Sequence, residues 1–574
     1  MGVSTHGPWF WFVSLEGGLG SRGALHASGR LLRDGLLERG VGGGNHHSLS
    51  NESDSFPVFQ LSQLIKKWSY FSSQMNLKKA FWVVFSAVIL VKIWVALVIP
   101  MTGDEAYYVV WGKHLSGGYY DQPPMVGWLI HVLLWFSDSK LWIRLPALLL
   151  SPFIVLGLRT MLRGLTQDRE KADLGAMLFL LAPIPLLAVF TTTDTPLIYF
   201  MFGALLILEK ALRRQKEKYY FGAGLLIGLG LLSKYFALLI PVAFGIYILF
   251  TPKKKNLWKG LAWMCVGILP SAVFHLYWNY DNCWVNFLFN LHSRSTHETG
   301  FAPAHFVTYL GYQIYLMTPF LIYALYKRRK DLVRSLQNDR IRLFALFFVV
   351  PAIAFGISAL KHGQGLHWML GFYPAFFAIV AYVLSARELR MHIRWMSAFL
   401  GLHLLAVVVL SVLPTSAFKG KSFYNNLLLF RYTDTLTDQL ESFKGDYHFA
   451  TDSYTLAAIL SYSSRQNFSV FGMGGRFGRE DDLITDFRAL SGKNILLFSR
   501  LEREEGEFAK YFEQVEKRKI SANGIEYTIF LGHGFHYRRY RDEVLRPLKD
   551  TYYQIPAGLP VRACYFLDRY FAGD

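Results

Sequence analysis

Between residues 80 and 413 the sequence is a succession of apolar runs of about 15 to 25 residues, separated by short polar connectors, and this pattern leaves little choice of fold. A chain in hydrocarbon must satisfy every backbone N–H and C=O internally, so runs of this length are expected as membrane-spanning helices. The spans expected are 80–101, 142–162, 173–190, 195–212, 219–232, 235–250, 257–279, 306–326, 341–360, 368–385 and 395–413. Composition agrees: 52% of the 574 residues are hydrophobic and only 18% are charged, against about 25% charged in an ordinary soluble domain. The formal charge of +19 invites a nucleic-acid partner. Its distribution excludes one, because the basic residues sit in the connectors, where they fix topology.

Those connectors orient the chain. The basic clusters at 78–79, 159–171, 213–218, 253–255, 327–334 and 387–394 belong on the cytoplasmic side under the positive-inside rule. An even number of crossings must then separate 213–218 from 253–255. The apolar stretch between them breaks at Ser233-Lys234-Tyr235, so two short helices are expected, with Lys234 at their outer turn. By the same parity 102–141, 191–194, 280–305, 361–367 and the C-terminus face outward. The total is about eleven crossings, rising to about thirteen if the apolar 125–136 segment joins an extra pair instead of lying in the interface.

The flanks differ from this middle. Residues 1–74 are rich in Gly and Ser without sustained periodicity, and are expected to be disordered or to precede the working protein, with Met75 as a natural start. Residues 75–414 form the transmembrane domain. From 415 to 574 strand-like stretches at 447–450, 469–471, 494–498 and 527–531 alternate with helix-like ones at 455–463 and 502–515, which predicts a small α/β domain on the outer face. Three cysteines occur without a CxxC pair, which argues against a zinc knuckle, and Cys283 and Cys564 both fall in outward segments, where a bridge between them is open.

Four outward segments carry charge that an apolar protein retains at a cost. Asp104-Glu105 follows the first span; a solvated loop explains it equally well. In Tyr119-Tyr120-Asp121-Gln122-Pro123-Pro124, two prolines fix the chain direction after Asp121, as for a placed residue or for a rigid turn. In Thr191-Thr192-Thr193-Asp194-Thr195-Pro196 a helix start alone accounts for the residue types. Lys234 brings a cation to the same face, and snorkelling is its plain explanation. Taken together they put three carboxylate sites and a lysine at one depth on one face. That suits an anionic, membrane-borne substrate better than a transporter, which tends to hold charge at the bilayer midplane between repeats.

The ordered set resembles a known family. The 103–130 stretch with Asp104-Glu105 and Tyr119-Tyr120-Asp121-Gln122-Pro123-Pro124 is similar to the first external loop of bacterial glycosyltransferase family 39 members, relatives of the protein O-mannosyltransferases and of the lipid A aminoarabinose transferases. Thr193-Asp194-Thr195-Pro196, 230–234, and His367-Trp368 with Tyr373-Pro374 match further stations in the same order, over roughly 80–415. Asp452-Ser453-Tyr454 is a local echo in the C-terminal part. One departure stands out: the aminoarabinose transferases carry Glu-Lys-Pro where this chain has Asp121-Gln122-Pro123, which weighs against that particular sugar.

The resemblance implies a GT-C fold, with about 11–13 transmembrane helices and a small extracytoplasmic α/β domain. It implies a multi-pass protein of a bacterial inner membrane, with its site and C-terminus on the periplasmic face. It also implies an inverting glycosyl transfer from a polyprenyl-phosphate-linked sugar to a lipid, glycan or protein acceptor. Asp104, with Glu105, is then the expected catalytic pair, Asp104 as general base. Tyr120, Asp121, Asp194 and His367 are expected at the substrate, and Lys234 with Arg294 against the leaving phosphate. No cofactor is required, although a divalent metal on Asp121 with His292 or His297 is an alternative. A transporter or flippase of an anionic substrate is the competing reading, and a non-catalytic assembly factor a third.

Overall fold

The computed structural model describes residues 77–251, 255–293, 300–421, 424–500 and 502–572. The 1–74 segment, Arg294, His297 and the side chain of His292 lie outside the described residues. Helices fill each of the eleven expected spans. Six of those described are long and apolar enough to cross a membrane: Leu77–Val98, Lys140–Thr166, Asp194–Arg214, Asn256–Tyr280, Asp339–Ala359 and Ala386–Val412. The rest are shorter or broken. The span expected at 173–190 is split at Ala182 into Arg169–Leu181 and Pro183–Leu187, and that at 306–326 divides at Thr318 into Pro303–Met317 and Pro319–Lys327. A proline opens the second piece in both, where its fixed φ suits the first helical turn and its missing N–H costs nothing.

The doubtful 125–136 segment is a helix, Met125–Leu134. Ten residues at 1.5 Å each span about 15 Å, half of a bilayer core, so it does not cross alone. It lies against the equally short Gly103–Lys113 helix, where Gly112 lets Ile130 approach; a Cβ on Gly112 would stand 2.7 Å from that side chain. Leu90, Val273, Ile353 and Leu402 stay exposed on the long helices, as expected of surfaces that meet lipid.

The C-terminal part holds a five-stranded sheet in the order β2-β1-β3-β5-β4. β1 (His448–Thr451) pairs in parallel with both β2 (Phe468–Val470) and β3 (Ile495–Ser499). β5 (Ile525–Phe535) runs antiparallel to β3 and to β4 (Phe512–Ala522). The expected strands and the helix at 455–463 (Tyr454–Ser464) are present. The helix expected over 502–515 is not: only Gly506–Ala509 is helical, and β4 begins at Phe512. Asn523 and Gly524, both with positive φ, make the two-residue turn that folds β4 back on β5, and this hairpin outweighs the helical preference of the Glu-rich stretch before it.

A disulfide joins Cys283 to Cys564 across 281 residues, with the two Cα atoms 4.5 Å apart. Backbone bonds on either side, from Cys283 N to Ala563 O and from Arg562 N to Tyr280 O, seat the C-terminal tail on the loop after the Lys255–Tyr280 helix. The sheet domain is thereby fixed to the helical domain.

Candidate active site

Asp104 and Glu105 are neighbours in sequence with opposite surroundings. Thr102 caps the Gly103–Lys113 helix: its hydroxyl accepts from Glu105 N, and the Glu105 carboxylate accepts in return from Thr102 N and Oγ1. The same carboxylate takes Arg144 Nε at 2.8 Å and Nη2 at 2.6 Å, with both side chains fully buried. Arg144 spends its remaining donors on the carbonyls of Ala96, Ile99 and Pro100, the loose C-terminal end of the Leu77–Val98 helix. One ion pair therefore closes one helix and opens the next. Glu105, expected beside Asp104 in the chemistry, is sealed from substrate by this arrangement. The Thr102-x-x-Glu105 spacing is a capping-box signal in the sequence.

Asp104 is exposed, in the first turn of that helix, where the N-terminal dipole favours an anion. One turn further on stands Tyr108. Burial holds its hydroxyl well above the ordinary tyrosine range, and the charges of Asp104, Asp194 and Asp121 and the phenol of Tyr454 push in the same direction. The charges of three aspartates from three separate segments thus act on one phenol, which the sequence did not single out.

Asp194 is 6% exposed at the start of the Asp194–Arg214 helix. It does not cap that helix: Thr192 Oγ1 accepts from Asp194 N instead. Its two carboxylate oxygens take Lys234 Nζ at 2.8 and 2.9 Å. Lys234 sits in the break between the Glu217–Leu231 helix and Tyr235, but it points inward at 7% exposure and so does not snorkel. His367 Nε2 lies 3.5 Å from Asp194 Oδ2, so the expected trio of Asp194, Lys234 and His367 forms one cluster. Phe236 borders it, with its ring 5.7 Å from Lys234 Nζ and 5.2 Å from that of Trp368.

Asp121 is held by partners that sequence reasoning missed. Its carboxylate accepts from Gly478 N at 3.0 and 3.2 Å, and its carbonyl accepts from Asn290 Nδ2. Asn286 Nδ2 donates to the carbonyls of Tyr119 and Tyr120. Glu480 Oε2 accepts from Tyr120 N at 2.7 Å. The ring of Tyr120, expected at the substrate, is 1% exposed and packs between Phe289 and Tyr553. It is a packing residue, and its backbone does the positioning. The one available signal was the glycine-rich run Gly472-Met-Gly-Gly-Arg-Phe-Gly478 leading into Arg479-Glu480-Asp481-Asp482. Gly478 is required there: its φ is +69°, and a Cβ would stand 2.0 Å from the ring of Tyr454.

Among the described residues no group of three or more His, Cys, Asp or Glu side chains is arranged to hold a metal ion. Asp121, the described member of the expected set, has its carboxylate on Gly478 N.

Residues 121–278 match the family model described as dolichyl-phosphate-mannose-protein mannosyltransferase. Two relatives come from Rhizobium johnstonii. Lipid A galacturonosyltransferase RgtD is 25% identical over 47% of this chain and 58% of its own length. Lipopolysaccharide core galacturonosyltransferase RgtB is 29% identical over 31% of this chain and 37% of its own. The match therefore spans less than two thirds of either relative. Among solved structures, ArnT from Cupriavidus metallidurans, bound to undecaprenyl phosphate, superposes with a TM-score of 0.55 at 14% identity, covering 79% of this chain and 98% of that one. Its apo form gives the same TM-score at 15% identity. At that identity the likeness is one of fold.

Proposed function

We propose, on the premise that the chain belongs to the GT-C superfamily with the family 39 transferases, that it is an inverting glycosyltransferase acting on a lipid-linked sugar. The observation that carries the reading is the buried Asp194 carboxylate with Lys234 at 2.8 Å and His367 at 3.5 Å, on a chain that also holds an exposed carboxylate at Asp104. A glycosyl transfer of this kind needs a base on one face of the sugar and positive charge on the other. Asp104 is the exposed acid and takes the proton of an acceptor hydroxyl as its oxygen attacks the anomeric carbon. The bond from that carbon to the phosphate oxygen breaks as the new one forms, and the polyprenyl phosphate leaves with the electron pair. It leaves as an anion, so it needs neutralising rather than protonating, and Lys234, with His367 beside it, supplies that charge. Asp121, with its backbone-held carboxylate, orients sugar or acceptor hydroxyls.

The partners follow from the relatives' names. A galacturonosyltransferase of lipid A and one of the lipopolysaccharide core favour a uronic-acid sugar and a glycolipid acceptor over a protein hydroxyl. The undecaprenyl phosphate in the ArnT structure favours a polyprenyl-phosphate donor. The absence of the Glu-Lys-Pro lysine at Gln122 fits a sugar other than aminoarabinose. The Cys283–Cys564 bridge supports an outward-facing site, since a lasting disulfide needs an oxidising compartment.

The test is transfer from a radiolabelled polyprenyl-phosphate hexuronate to lipid A in proteoliposomes. The wild type is expected to move label into lipid A, and Asp104→Asn to lose the activity while its thermal midpoint holds. An Asp104→Asn protein with full activity refutes the assignment of the base. Net movement of intact donor across sealed vesicles without bond cleavage favours a flippase instead.

A further inference from the structure

Glu480 touches both acidic loops of the helical domain at once. Its Oε2 accepts from Tyr120 N at 2.7 Å, beside Asp121, and its own N–H donates to the Tyr107 hydroxyl at 3.1 Å, on the helix that carries Asp104. These bonds cross 360 and 373 residues of sequence. Two residues earlier, Gly478 N–H occupies the Asp121 carboxylate. The segment that makes these contacts is itself fastened. Arg479 is tied to Asp482 at 2.6 Å, and its guanidinium donates to the carbonyls of Met473 and Gly475. Tyr553 donates to the same Asp482.

We propose that Gly478 and Glu480 of the C-terminal domain are positioning residues for Asp121 and for the helix of Asp104, so that the sheet domain completes the active site across the domain boundary. The inference rests on the glycosyltransferase reading above. Glu480 is 4% exposed, and burial with Asp121, Asp482 and Asp481 nearby holds its carboxyl well above the ordinary carboxylate range. A neutral carboxyl suits the place: it accepts the Tyr120 N–H without setting a second negative charge beside Asp121. A glutamine can do the same, because its amide oxygen accepts equally well and it carries no charge. Alanine cannot, and it leaves the Tyr120 N–H buried without an acceptor. The backbone at Tyr120 and Asp121 is then released by distances of the order that cost about 100-fold in rate, while the backbone bond from residue 480 to Tyr107 remains.

The experiment is steady-state transfer by full-length wild type, Glu480→Gln and Glu480→Ala in proteoliposomes, normalised to folded protein by thermal unfolding and by the Cys283–Cys564 bridge on a non-reducing gel. Expected are Glu480→Gln within about 3-fold of wild type and Glu480→Ala down about 100-fold in kcat, with KM for the lipid-linked donor changed little. Rescue by the conservative variant is a readout that mere bulk packing would not give. Equal activity in all three proteins overturns the proposal, as does equal loss in Gln and Ala, which assigns the ionised carboxylate a different part. A loss in Glu480→Ala that only tracks its folded fraction overturns it too. A wild type that transfers no sugar from any lipid-linked donor refutes the glycosyltransferase reading itself, which keeps the two failures apart.

Discussion

Replacing Glu105 should damage the fold before it damages the chemistry, and the structure gives the size of the effect. Glu105→Ala removes both hydrogen bonds to Arg144 and the two bonds returned to Thr102. The Arg144 guanidinium stays, fully buried, with only the carbonyls of Ala96, Ile99 and Pro100 around it. Breaking one side of a buried ion pair costs about 3 to 5 kcal/mol, and the Thr102 N–H and hydroxyl losing their acceptor about 1 more, so a loss of about 4 to 6 kcal/mol is expected. Arg144→Met is expected to be at least as harmful, because it strips a donor from three carbonyls as well as from Glu105. The assay is thermal unfolding in detergent with the monodisperse fraction after solubilisation, beside the specific activity of whatever remains folded. Glu105→Ala should lower the midpoint and the yield while the folded remainder keeps measurable transfer. Asp104→Asn should do the reverse. A Glu105→Gln protein with a wild-type midpoint and an activity as low as that of Asp104→Asn would refute the division of labour between these neighbours.

Asp194→Asn leaves Lys234 buried without its anion and should cost about 3 to 5 kcal/mol along with activity; the double change Asp194→Asn with Lys234→Met should recover yield but not transfer, and recovered transfer would remove Lys234 from the leaving-group site. Burial raises the Asp481 carboxyl from 3.8 to about 7, its oxygens accepting from Val470 N and Thr485 Oγ1. Between pH 4 and 7 the folded protein keeps a proton that the unfolded chain has released, so this group's stabilising contribution is complete at acid pH and is lost as pH rises through 7, by at most about 4 kcal/mol. Thermal unfolding from pH 5 to 8 should therefore show a decline that Asp481→Asn flattens, and parallel curves would count against it. Cys283→Ser opens a bridge of 281 residues, for which chain entropy allows a ceiling of about 5 kcal/mol. It is expected to lower the unfolding midpoint and, through Asn286 and Asn290 on the tethered loop, to loosen Asp121, which a fall in transfer after reduction of the wild type would report.

The helical layout was legible because its signal is local. A spanning helix announces itself within about twenty residues. The break at Ser233–Lys234 follows from the same arithmetic, since one continuous helix could not have served both neighbouring basic clusters. Where the reading failed or left two accounts open, a partner lay far off in sequence. Lys234 looks like a snorkelling lysine until Asp194, 40 residues earlier, is brought to its Nζ. Glu105 looks like half of a catalytic pair until Arg144, 39 residues on, is found on its carboxylate. The 502–515 stretch has helical composition, and the hairpin that overrides it depends on a turn at Asn523-Gly524 beyond its end.

The site divides along the same line. The acids were recognisable by residue type, because charge beside a membrane is costly and is kept only where it is used or paired. Residue type alone could not separate use from pairing; burial and partners do. Asp104 and Glu105 differ by one residue and by the whole of their exposure. The groups that hold Asp121 were beyond reach for a stronger reason. Gly478 and Glu480 belong to the C-terminal segment that carries the sheet, and nothing in their local sequence refers to a loop some 360 residues earlier. A glycine with positive φ beside a buried glutamate reads locally as a turn. Its bonds to the two acidic segments form only because the sheet-bearing segment, tied down at Cys283–Cys564, presents that turn to them.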